Sequence, residues 1–77
     1  MTADYNTILS NENKRQILTE RITQFASEIY QYSLNKKTAE ATGMEKNVES
    51  AENAIAILTK AIEIHQEELE RIPSSES

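Results

Sequence analysis

His65 is the only histidine in the sequence, and with Glu68 it forms an i, i+3 pair that could offer two ligands to one metal ion. Di-metal carboxylate bundles place a Glu three residues before the His, whereas position 62 here is Ile. The apolar positions of the first half of the chain supply no carboxylate to complete a ligand set. His65 therefore reads as a polar residue set into an apolar seam, where it can fix register or oligomeric state. Nucleophilic catalysis has less support still. Cysteine is absent, and there is neither a Gly-x-Ser-x-Gly elbow nor a glycine loop to cradle phosphate. No catalytic residue, metal or cofactor is assigned, and the chain reads as a non-enzyme.

Two further groups could bind something. The compact basic stretch Asn35-Lys36-Lys37-Thr38 lies close in sequence to Thr42 and Lys46. Together with the free amides of a helix beginning near residue 44, Lys36, Lys37, Thr42 and Lys46 could hold a phosphate or carboxylate. Tyr30 and Tyr32 could add a stacking surface for a nucleotide. The plain alternative is solvated lysines near a helix end and packed tyrosines. The second group is the acidic run Glu45, Glu49, Glu52, Glu63, Glu67 and Glu70, which suits a basic partner surface or, more simply, a solvated helix face.

These groups need elements to position them, and the second half of the chain gives the clearest one. Met44, Val48, Ala51, Ile55, Leu58, Ile62, His65, Leu69 and Ile72 recur in alternating steps of four and three, the spacing of a coiled-coil seam. Thr42-Gly43-Met44-Glu45 has the T-x-x-E form of a capping box at its start. In the first half Leu18, Ile22, Phe25, Ile29 and Tyr32 repeat the same spacing, and Ser10 or Asn11 can cap the helix with Glu12 favouring its positive end. Ala and Glu at 39–41 favour continuing this helix to about residue 41, with the bend at 42–43.

The expected fold is all-α: an antiparallel helical hairpin, assembling into a four-helix bundle or larger helical oligomer. Residues 1–9 form an N-terminal segment with a short turn over Asp4 to Leu9. Residues 10–72 form the hairpin, with helix one about 10–41 and helix two about 44–72, and 73–77 form a disordered tail. Folding back at 42–43 pairs residues whose numbers add to about 85, so Tyr32 faces Ala51, Ile29 meets Ile55, Phe25 meets Leu58 or Ile62, and Leu18 meets His65 or Leu69. The hairpin core is then Leu18, Ile22, Phe25, Ile29, Val48, Ile55, Leu58, Ile62 and Leu69.

A chain of 77 residues buries only about 60% of its unfolded surface and usually needs a staple or a partner. Helix two carries more apolar surface than one seam uses, because Ala54, Ile57, Ala61 and Ile64 widen the stripe. Ala26 and Tyr30 widen helix one. Ala54, Ile57, Ala61, Ile64 and Ala26 are the expected oligomer interface, a homodimer being the simplest closed assembly.

Charge narrows the other partners. Residues 1–37 carry five Lys/Arg and four acids, whereas 38–77 carry three and nine. That balance disfavours nucleic acid and anionic membrane and suits another protein with a basic surface. The longest apolar run, Ala54 to Leu58, is far short of the roughly 20 residues of a membrane span, and no signal peptide is visible, so a soluble cytoplasmic protein is expected. The leading functional expectation is an oligomeric protein–protein interaction module serving as adaptor, regulator or inhibitor. A binder of a small anionic ligand such as a nucleotide, or a purely structural assembly subunit, are the alternatives.

Overall fold

The structure, a computed structural model, describes residues 8–73. They form two α-helices, α1 over Asn11–Thr42 and α2 over Glu45–Arg71, joined by a tight bend. The helices pack against each other as an antiparallel hairpin, with Arg21 reaching His65 and Arg15 reaching Pro73 near the open end while Lys36 meets Glu52 towards the bend. The turn expected before Ser10 falls mostly outside the described residues, as do residues 74–77 of the expected tail.

α1 begins where a side chain can satisfy an orphan amide. Ser10 has extended backbone, and its hydroxyl accepts from the Asn13 amide at 3.0 Å, with Glu12 in the first turn against the positive end of the dipole. The helix runs 32 residues with little amphipathic contrast. Spaced pairs on its outer surface support it locally: Gln16 donates to Glu20 and Gln24 to Glu28, each across one turn.

α1 ends in a Schellman motif. Gly43 adopts the left-handed conformation (φ 73°, ψ 22°), its amide donates to the Glu40 carbonyl, and the Met44 amide returns to Ala39 at 2.9 Å. A glycine is needed here because a Cβ disfavours that region. The capping box expected at Thr42-Gly43-Met44-Glu45 does not form. Thr42 is still helical and its hydroxyl turns back to the Thr38 carbonyl at 2.9 Å, so it cannot reach the Glu45 amide. Met44 becomes the N-cap of α2 and offers no side-chain hydrogen bond. The C-terminal glycine motif fixes the chain direction first, and Thr42 is spent on the helix it ends.

The seam of α2 faces α1 as its spacing requires. Val48, Ile55, Leu58, Ile62, His65, Leu69 and Ile72 are half-buried and Ala51 is buried, while Met44 at the bend is exposed. On α1, Leu18, Ile22, Phe25 and Ile29 are half-buried, but Tyr32 lies at the edge and Ser33, Lys36 and Ala39 take the inward positions beyond it. Small residues suit the closing end, where the bend draws the helices together: Ala39 and Ala51 are the two buried side chains among the described residues, each 4% exposed. The cross-helix pairs also run a few residues further along than expected. Phe25 meets His65, one turn past the expected Ile62 and two past Leu58.

Candidate functional site

The hairpin measures 55 × 29 × 14 Å, a single layer of helices with two broad faces open to solvent. Helix geometry assigns each flank to a face. Tyr32 and Asn35 of α1 line a groove with Asn47 and Ser50 of α2, and at the other end Ile17 and Leu18 line one with Glu68 and Ile72. These residues share one face. Ala54, Ile57, Ala61 and Ile64 continue the same flank of α2 from Ser50 towards Glu68, in steps of three and four.

This face holds the largest exposed aliphatic side chains of α2. Ile57 is 69% exposed and Ile64 50%, with Ala54 and Ala61 half-buried between them and the seam. Ile17, 42% exposed, adds to it from α1. The sequence reading missed Ile17, although its place beside seam residue Leu18 is the signal that could have shown it. The charged residues on this face are Lys14, Arg21 and Arg71 with Glu28 and Glu68, so the face is not acidic.

Ala26, expected beside those residues, falls on the opposite flank of α1. It begins an i, i+4 stripe with Tyr30, 65% exposed, and Leu34, 45% exposed. The acids Glu45, Glu52, Glu63 and Glu70 lie on the corresponding flank of α2, and Glu49 and Glu67 lie on its outer edge. One face thus sets the apolar flank of α2 beside a polar stretch of α1 that includes Gln24, Glu28 and Asn35, and the other is acidic with an aromatic and aliphatic stripe.

The six residues weighed as an anion site do not converge. Lys36 is committed to Glu52 at 3.2 Å, across the helix interface. Tyr30 and Tyr32, two residues apart on a helix, point to opposite faces. Lys37 is exposed on the Tyr30 side, Lys46 points away from the seam, and the Thr42 hydroxyl is bonded within α1. The groove nearest the start of α2 is lined by Glu40, Glu45 and Glu49 rather than by lysine.

At the seam, His65 joins the helices. Its Nε2 lies 2.9 Å from Arg21 Nε and its Nδ1 2.7 Å from the Ala61 carbonyl. The arginine nitrogen can only donate, so Nε2 is the acceptor and Nδ1 carries the proton that binds Ala61. Phe25 meets the imidazole edge-on at 4.9 Å between centroids, and the Arg21 guanidinium lies 5.2 Å from the Phe25 ring centre. Both ring nitrogens are engaged within the fold. Among the described residues no group of three or more His, Asp or Glu side chains comes together to hold a metal ion, and no helix is long and apolar enough to cross a membrane.

No protein-family model matches the chain, and neither a curated protein nor a solved structure does. Its class rests on geometry: an all-α antiparallel hairpin of two long helices with chemically distinct faces.

Proposed function

We propose that the protein is a small, non-catalytic interaction module that self-associates through the apolar flank of α2 and presents its acidic face to a basic macromolecular partner, as an adaptor, regulator or inhibitor. The observation that carries this reading is the exposure of Ile57 and Ile64 on one flank of a layer only 14 Å thick. Burying each of them would contribute about 1.5–3 kcal/mol. The acids of α2 other than Glu68 lie away from that flank, so pairing there does not bring the acidic run together.

Sedimentation equilibrium tests the self-association. A mass of two or more chains at micromolar concentration is expected, and Ile57→Glu with Ile64→Glu should return the monomer. The partner face is tested by replacing Glu63 and Glu70 with Lys. Loss of a captured partner with unchanged self-association is the expected result, whereas an equal partner yield would leave assembly as the module's whole task.

A further inference from the structure

We infer that His65 is a proton-sensitive latch on the open half of the hairpin: the neutral imidazole holds Arg21, and the protonated ring releases it and loosens α1 from α2 there. The latch lies inside one hairpin and does not depend on the self-association proposed above.

The ring cannot gain a proton without losing this contact. Nδ1 already donates its hydrogen to the Ala61 carbonyl at 2.7 Å, so an added proton enters at Nε2, whose lone pair accepts from Arg21 Nε at 2.9 Å. One lone pair cannot both bind a proton and accept a hydrogen bond. After protonation two cationic donors face each other across that gap, which disfavours the charged ring. The Arg21–His65 bond is exposed, so water delivers the proton without unfolding, and the released guanidinium has solvent to enter.

Nothing in place around the ring offsets the new charge. On α1 it meets Arg21 and the edge-on Phe25, with Glu28 a turn further along. On α2 Glu68 follows it by three residues but pairs with Arg71 at 3.6 Å, and Lys14 lies further towards the open end. Among the described residues no carboxylate pairs with His65.

The effect is confined to one end. Two polar contacts cross between the chain segments of the open half, Arg21 to His65 and Arg15 to the Pro73 carbonyl. Towards the bend, the Lys36–Glu52 pair and the glycine cap contain no histidine, the side chain that ordinarily changes charge between about pH 5 and 8. Unfolding frees the imidazole to take a proton, so the latch contributes above that range and is lost as pH falls through it.

Amide hydrogen exchange on the full-length protein at about pH 8 and about pH 5 tests the latch, read as protection factors so that the intrinsic pH dependence of exchange cancels. Protection of Leu18 to Phe25 and of Ala61 to Leu69 should fall several-fold in acid, while that of Lys36 to Glu52 holds. Arg21→Gln is the control, because its amide stands at the same distance along the side chain as Arg21 Nε. That amide can donate to the neutral ring, or turn and accept from the protonated one, so this variant should keep its protection at both pH values. The same acid loss in Arg21→Gln would overturn the latch, as would equal losses at both ends of the hairpin. An open half unchanged in acid would also overturn it, and would mean that Glu68 or water accommodates the charged ring.

Discussion

Arg21 Nε donates to His65 Nε2 at 2.9 Å, tying α1 to α2 across 44 positions of sequence. The bond requires the proton of His65 to sit on Nδ1, where Ala61 accepts it, so one imidazole sets both its own rotamer and the partner helix's register. Removing Arg21 alone should cost little because it is exposed, whereas His65→Ala also removes a half-buried seam residue and its contact with Phe25. A double-mutant cycle with Arg21→Ala and His65→Ala should give a coupling of about 0.5–1.5 kcal/mol by chemical denaturation. A coupling of zero would reduce the pair to a surface coincidence.

The bend makes a sharper prediction. Gly43 has a left-handed φ of 73°, and a Cβ there would meet nothing within 4 Å, so the cost of Gly43→Ala is backbone strain alone. That cost should be about 1–2 kcal/mol. Gly43→Asn should lose less, since Asn tolerates this region. Equal losses for the two variants would contradict the cap described here.

Met44 occupies the N-cap of α2 without offering it an acceptor, and its side chain is 52% exposed. Met44→Ser or Met44→Asp should stabilise the hairpin by about 0.5–2 kcal/mol in thermal unfolding. Thr42→Ala should be close to neutral, because its hydroxyl serves only carbonyls of its own helix. A large loss on Thr42→Ala would restore the capping box.

Ala39 and Ala51 mark the closest packing of the hairpin. Ala51→Leu should destabilise it by about 1–3 kcal/mol through overpacking. Ala56→Leu, at an exposed position of the same helix, should change stability by less than about 0.5 kcal/mol.

Much of this architecture was legible because one residue type at one spacing has one use. The four-three recurrence from Val48 to Ile72 specifies a helix and its buried side, and Gly43 between two helical patterns specifies the bend. What escaped depended on competition or on distance. Thr42-x-x-Glu45 matched a cap, but the glycine inside it served the preceding helix. Tyr32 fitted the spacing of α1, yet the narrowing towards the bend admits Ser33 and Ala39 and turns the larger ring to the edge. The partner of His65 was out of reach until the bend had set the register that brings Arg21 beside it. The two faces were half-visible: Ile57 and Ile64 stood out as surplus, but Ala26 was grouped with them because a single helix does not say which of its flanks lies beside which flank of its neighbour.

One hairpin leaves Ile57 and Ile64 of α2 in solvent, and the proposed self-association would cover them. The most direct measurement is the mass of the wild-type protein by sedimentation equilibrium across micromolar concentrations. Twice the 8.7 kDa chain mass or a larger multiple is expected, falling to a single chain on Ile57→Glu with Ile64→Glu. A folded wild-type protein that stays at 8.7 kDa throughout would contradict it.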